Sequence, residues 1–220
     1  MKISIENIVS AYETKFVKLF DIQYKEGAHY YDATRRNRED VVAIMDDESF
    51  ANMLPDAVTI ALIVKESDSC EPKILLSKEY RYPTGHFLLS PPAGLIDPED
   101  KASGLDVESI LGIATKREIL EETGLFVKDT DKIEIVNPCL FSTPGLTDES
   151  NAIIKVEIAD ADLTQINQSG AVGTELFDGY VLLTRDEAVE VLKSGRDEKG
   201  FYLPTYTWVV LMSFISDIWN

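Results

Sequence analysis

The chain has 220 residues, 45% of them hydrophobic, and a formal net charge of −18. That length and apolar content can bury a full core and fit one domain with an appendage. So negative a chain is poorly suited to nucleic acid or an anionic membrane surface, and no stretch approaches the roughly 20 apolar residues of a membrane span.

Residues 12–46 carry short alternating runs, Lys15 to Tyr24 and Ala28 to Ala33, with Gly27 between them. This pattern predicts an antiparallel meander. Residues 39–54 predict a further strand, broken from the next by Pro55. Ala57 to Val64 and Lys73 to Arg81 predict paired strands joined by a polar loop from Glu66 to Glu71. From Asp106 to Thr123 apolar residues fall at 107, 110, 111, 114, 119 and 120, a helical spacing that Gly124 ends. Strands are expected near 133–141, 152–158 and 177–183. Thr184 and Glu187 have capping-box spacing before a helix closed by Gly195. A last helix is expected after Pro204, with Thr205 as its cap and Trp208, Val209, Leu211, Met212 and Ile215 in the core. The two cysteines, Cys70 and Cys139, sit in strand-like surroundings and read as free buried thiols of a reducing cytoplasm. No apolar run follows Lys2, so no signal peptide is expected and the expected location is cytoplasmic.

The run Arg117-Glu118-Ile119-Leu120-Glu121-Glu122-Thr123-Gly124-Leu125 carries the chemistry. On a helix, Glu118, Glu121 and Glu122 return to nearly one face, with Arg117 alone beside them. Their mutual repulsion opposes an isolated helix by roughly 0.2–0.5 kcal/mol per pair, and the C-terminal dipole adds to it. Such a face serves no purpose as a stabilising device. A cluster of hard oxygen donors is what Mg²⁺ or Mn²⁺ would neutralise.

Upstream lies Leu89-Ser90-Pro91-Pro92-Ala93-Gly94-Leu95-Ile96-Asp97. Together the two segments resemble the Nudix box, G-x5-E-x7-R-E-U-x-E-E-x-G-U, where U is aliphatic. The second half is matched throughout, from Arg117 to Leu125. Gly94 lies 23 positions before Arg117 where the pattern has 14, so nine residues are inserted, and the pattern's first Glu falls on Ser109, leaving Glu99 or Glu108 as displaced alternatives. Tyr80-Arg81-Tyr82-Pro83-Thr84-Gly85, Pro92 to Asp97, and Ser142-Thr143-Pro144-Gly145-Leu146-Thr147 resemble the ADP-ribose pyrophosphatase branch of that family, as does Tyr31 to Arg36.

The resemblance implies an α+β Nudix fold, a mixed sheet between helices, with an N-terminal meander over 1–54 that pairs two subunits and a catalytic domain over 55–220. It implies Mg²⁺ or Mn²⁺ held by Glu118, Glu121, Glu122 and the Ala93 carbonyl, with Arg117, four residues before Glu121, orienting the Glu121 carboxylate. It implies a nucleoside diphosphate sugar as substrate, gripped by Arg81 and Arg36, with Tyr31, Pro144 and Gly145 at the nucleoside end. A general base on a late loop falls on Glu175, in a glycine-containing segment suited to a lid. The alternatives are another nucleotide sugar or a dinucleotide as substrate, and a Nudix module that binds a nucleotide without cleaving it. Loss of the acidic pair would mark the last; here the pair is intact.

Overall fold

The computed structural model describes residues 2–67, 70–101, 103–170 and 175–216. They form two compact units, residues 1–56 with 139–151 and residues 57–138 with 152–220.

In the first unit three antiparallel strands, β1 (Ile8–Glu13), β2 (Lys18–Lys25) and β3 (Ala28–Thr34), make a meander in that spatial order. The tight β2–β3 turn needs the left-handed backbone of Gly27, φ 69°. Ile8, Phe20 and Val41 form its own small buried core, with Ile3, Ile22 and Ile44 against them. Phe16, Val17, Tyr30 and Tyr31 stay exposed. The strand expected over 39–54 is absent. In its place are two 3-10 turns and a short helix, α1 (Asp47–Ala51), capped by Asp46, whose side chain accepts from the Ser49 amide. Side chains intercept the backbone there: the Val42 N–H donates to Asp148 Oδ2 at 3.1 Å, not to a strand neighbour.

A buried polar network closes this unit. Arg36 Nη2 lies 2.8 Å from Asp56 Oδ2, and its Nε lies 3.4 Å from Asp148 Oδ2. Asp56 Oδ2 also accepts from the amide and hydroxyl of Ser150. The Asp148 amide donates to Asp32 Oδ1 at 3.0 Å, while Asp32 Oδ2 has no partner among the described residues. Asp56 and Asp148 thus share one guanidinium, whose charge also reaches Asp32.

The second unit is built on β4 (Ala57–Val64), β5 (Lys73–Arg81), β6 (His86–Ser90), β7 (Ala93–Leu95), α2 (Pro98–Lys101), α3 (Val107–Thr123), β8 (Lys132–Phe141), β9 (Ser150–Ile158), β10 (Phe177–Leu183), α4 (Arg185–Ser194) and α5 (Thr205–Ile215). The sheet runs β10-β5-β4-β9-β8, with β6 on β5 and β7 on β4. Every residue of β4 is buried, as the unbroken apolar run demands, and α3 and α5 both pack on it.

One feature of this sheet positions the site. β4 and β5 pair only at Ile63↔Ile74 and Val64↔Lys73. The other end of β5 pairs with β6, from Ser77↔Ser90 to Arg81↔His86, and the other end of β4 pairs with β7, from Ala57↔Leu95 to Thr59↔Ala93. The sheet therefore splits, and two short strands satisfy the backbone groups that the split would orphan. The sequence reading did not foresee β6 or β7.

α3 begins at the Asp106 cap and ends at Gly124, φ 71°, as expected. The Thr184–Glu187 capping box and the Gly195 stop are also present. In α5 the cap position is Pro204, one residue earlier than expected, and Trp208 is 48% exposed because Thr207, Val210, Leu211 and Phe214 take the inner face. Cys70 is exposed in the loop beyond β4 and Cys139 is half-buried in β8; neither is in a disulfide, and the buried-thiol reading fails for Cys70 because β4 ends at Val64. Among the described residues no helix is long and apolar enough to cross a membrane.

Burial, then repulsion from Asp148, pushes the Asp32 carboxyl up to about 6. An ordinary carboxyl near 4 in the unfolded chain releases its proton first, so the folded state loses stability as pH rises from about 4 to about 6. Asp32→Asn is therefore expected to be more stable than the parent above pH 6, by on the order of 2 kcal/mol, with the gain shrinking towards pH 4. Urea unfolding at pH 4 and pH 8 checks this, and an equal or weaker variant at pH 8 contradicts it.

Candidate active site

The inner face of α3 reads Ile110, Leu111, Ala114, Thr115, Glu118, Ile119, Glu122, Thr123. The helical period that places aliphatic residues against the sheet in the first turns places carboxylates there in the last ones. Glu118 and Glu122 are each only 6% exposed. Glu121 sits off this face and stays half-exposed, so the three carboxylates are split between an inner pair and an outer neighbour.

The strand beneath makes room for them. A Cβ on Gly94 would stand 2.0 Å from the Glu118 carboxyl carbon and 2.2 Å from each of its oxygens. The Glu118 carboxylate therefore occupies the space a side chain would need. One residue earlier, the Ala93 N–H points to Glu122 Oε1 at 3.5 Å. Gly94 is a glycine for packing, not for backbone conformation.

Arg117 is the hub of the outer rim. Its Nη1 lies 2.9 Å from Glu118 Oε1, 3.2 Å from Asp97 Oδ2 and 4.0 Å from Glu121 Oε2. Its Nη2 donates to the Leu95 carbonyl at 3.0 Å, with Asp100 Oδ2 at 3.8 Å. The carboxylate it orients is thus chiefly Glu118, while Glu121 is at the edge of its reach. Asp100 comes from the inserted segment, whose short helix α2 follows Asp97. Glu99 and Glu108, the two displaced alternatives for the first acid, are exposed, and Glu108 lies ten residues up α3, about 15 Å from Glu118. Asp97 and Asp100 are the acids that the loop delivers.

The end of α3 is fastened from two sides. Tyr180 on β10 donates its hydroxyl to the Glu122 carbonyl at 2.7 Å. The Asn167 amide donates to the Thr123 carbonyl at 3.0 Å, and a Cβ on Gly170 would come within 2.5 Å of the Glu121 carbonyl. Residues 171–174, the middle of the segment read as a lid, lie outside the described residues. Glu175, described beyond them, places a negative charge that Glu79, Glu118 and Glu122 all feel.

Electrostatics follow from burial. Burial pushes the Glu118 carboxyl up to about 7; Arg117 opposes this, while Glu121, Glu175 and Asp97 add to it. Glu122 is raised well above the usual range, by burial first and then by Glu79 and Glu118, with the Ala93 amide a small counterweight. Glu79, which sequence reasoning missed, is also raised by burial and lies 2.6 Å from Arg81 Nη2. Among the described residues no three metal-binding side chains are arranged as a ready cage. Buried, mutually repelling carboxylates against a glycine cradle nevertheless fit a divalent cation by chemistry, since cationic charge is what they lack.

In the first unit it is Tyr30 and Asp32, on one face of β3, that meet the Pro144-Gly145 segment; Tyr31 alternates to the other face. The Tyr30 hydroxyl donates to the Gly145 carbonyl at 3.0 Å, Tyr31 is exposed, and Arg36 is engaged by Asp56 and Asp148. A cavity of about 260 Å³ opens there between Tyr30, Asp32, Phe141, Pro144 and Leu146.

No protein-family model matches the chain. An ADP-ribose pyrophosphatase of Saccharomyces cerevisiae is 30% identical over 156 residues, 71% of this chain and 58% of that protein. An uncharacterized Nudix hydrolase of Schizosaccharomyces pombe is 34% identical over 110 residues, 50% of this chain and 45% of that protein. The chain spans about half the length of these relatives. A crystal structure of an ADP compounds hydrolase shares its fold, with a TM-score of 0.56 at 17% identity over 98% of this chain and 95% of that one.

Gly94→Ala drives a methyl into the Glu118 carboxylate, and overpacking of this kind costs roughly 1–3 kcal/mol. The loss should shrink when Glu118→Ala is added, because the two residues share one space. Thermal unfolding of the single and double variants tests it; additive losses would show that the contact is not made.

Proposed function

For a chain that has the fold of an ADP compounds hydrolase and resembles the Nudix hydrolases in sequence, we propose divalent-metal-dependent hydrolysis of the pyrophosphate bond of ADP-ribose or a related nucleoside diphosphate sugar. The products are a nucleoside monophosphate and a sugar phosphate. The observation that carries this reading is the burial of Glu118 and Glu122 on the core-facing side of α3, against the backbone of Ala93 and Gly94.

Glu118, Glu121, Glu122 and the Ala93 carbonyl are the groups that would hold Mg²⁺ or Mn²⁺. When bound, such ions supply neutralisation of diphosphate charge and a more acidic water nucleophile. Everything else falls to the chain. Arg117 fixes the Glu118 carboxylate, so that its oxygens are aimed before substrate arrives. Arg81, at the end of β5 and half-exposed, offers a guanidinium to a phosphate oxygen. Glu175 is the proposed base, accepting the proton of the attacking water; its charge already bears on the buried pair. The split sheet and the packed end of α3 exclude bulk water from one side of this group.

In the first unit, exposed Tyr31 and the Pro144-Gly145 turn are proposed to meet the nucleoside. Arg36 would need to leave Asp56 and Asp148 to meet a phosphate. The same unit is proposed to pair two copies of the chain. Its Tyr12, Phe16, Val17 and Tyr30 are 46–70% exposed, a larger apolar display than an isolated meander needs.

A panel of nucleoside diphosphate sugars and dinucleotides with Mg²⁺ or Mn²⁺, read by released monophosphate, tests the activity. ADP-ribose should turn over, and Glu122→Gln should lower kcat by about a hundredfold or more while the fold persists. Absence of turnover for the whole panel would point to a nucleotide-binding module without hydrolysis. For assembly, light scattering of the intact chain should give a dimer mass, and Phe16→Ser with Tyr12→Ser should shift it towards monomer. A monomer of the parent chain at micromolar concentration would contradict the pairing.

A further inference from the structure

Side chains alternate along β5, so Ser77, Glu79 and Arg81 lie on one face of it. Across the β5–β6 ladder Ser77 stands opposite Ser90, and on the other side Ser77 stands opposite Tyr180, whose hydroxyl is bound to the Glu122 carbonyl. The last turn of α3 is thereby fastened over this patch of sheet. Glu79, two residues along the same face, carries a side chain only 14% exposed. Its charge bears on Glu122 across this patch. Ser77 and Ser90 are each 1% exposed; the Ser77 hydroxyl has no partner among the described residues, and that of Ser90 eases the Glu79 charge without a well-formed hydrogen bond. Arg81 balances Glu79 at 2.6 Å, and its side chain is 46% exposed. A carboxylate buried at a polar-lined split, within the influence of another buried carboxylate and tied to a half-exposed cation, is poorly explained as a stabilising pair.

We infer that Glu79 is a further carboxylate of the divalent-cation site and that Arg81 holds it in the cation's place. When a cation takes the Glu79 oxygens, the Arg81 guanidinium is released towards the phosphate of an anionic substrate. Cation and diphosphate then favour one another's binding through a shared residue pair, beyond their direct attraction. This rests on the hydrolase reading above, and it adds a residue and a coupling to it. No covalent step is involved.

The test uses the full chain, first without nucleotide. Free Mn²⁺ is followed by electron paramagnetic resonance in the parent, Glu79→Gln and Glu122→Gln, with circular dichroism reporting the fold. Glu79→Gln should weaken Mn²⁺ binding by about tenfold or more. The same variant, in EDTA, should bind ADP-ribose more tightly than the parent, because Arg81 has lost its competing carboxylate; adding Arg81→Ala should abolish that gain. A residue with a merely structural role would not move these two affinities in opposite directions. Glu79→Gln with parental Mn²⁺ affinity, beside a weakened Glu122→Gln, overturns this inference and leaves the hydrolase reading standing. A parent chain that binds no Mn²⁺ overturns the metal requirement itself.

Discussion

A carboxylate that leaves water for the inner face of a helix has to be met by positive charge, by hydrogen-bond donors or by a proton. Glu118 and Glu122 meet little of the first two from the chain itself: one guanidinium for Glu118 and one long amide contact for Glu122. The rest of the second unit is arranged around that deficit. The aliphatic stripe of α3 anchors the helix, so its last turns are carried into the sheet whether or not their side chains favour it. Hydrophobic burial in the first three turns offsets electrostatic penalty in the last two. This is the pattern expected where a site is sustained by its scaffold and not by its own contacts.

The split in the sheet is the counterpart of that helix. Had β4 and β5 stayed paired along their length, their side chains would have filled the ground under Glu122. By parting after two residue pairs they leave an opening that β6 and β7 edge with backbone amides, small side chains and Gly94. Close approach of a carboxylate to a strand requires the absence of a Cβ, and a Cβ on Gly94 would stand 2.0 Å from the Glu118 carboxyl carbon, which leaves no room for one. Arg117 then ties helix, strand end and inserted loop together, through Glu118, the Leu95 carbonyl, and Asp97 with Asp100. The nine inserted residues lengthen the connection at little cost, since loop length alters closure entropy only slowly.

The first unit resolves a similar problem differently. Asp32, Asp56 and Asp148 gather round Arg36, but amides and hydroxyls of Val42, Asp148 and Ser150 carry part of the charge. Its small core of Ile8, Phe20 and Val41 shows that the meander holds together internally, while the aromatic residues around it face outward.

The sequence by itself determined the elements with strong periodicity and strong punctuation. Ala57–Val64, Lys73–Arg81 and Phe177–Leu183 coincide with observed strands, and Gly124, Thr184 and Gly195 are helix boundaries for the local reasons that predicted them. It also determined the acidic run, because seven specified positions, one of them a glycine, form a pattern that chance rarely supplies. It failed where local preference was weak or was overruled. Residues 39–54 look strand-like, yet Asp46 and Asp148 claim their amides; Trp208 looks like core, yet the helix turns it outward. β6 and β7 are too short to carry a period, and they exist because another strand's edge is free. Only the tertiary structure could decide that Arg117 serves Glu118 first, that Asp97 and Asp100 join it in place of Glu99 or Glu108, and that Glu79 faces Glu122. Asp97 and Asp100 lie 20 and 17 positions before Arg117, and Glu79 lies 43 before Glu122; they come together only through strand register and helix packing, which no local pattern encodes.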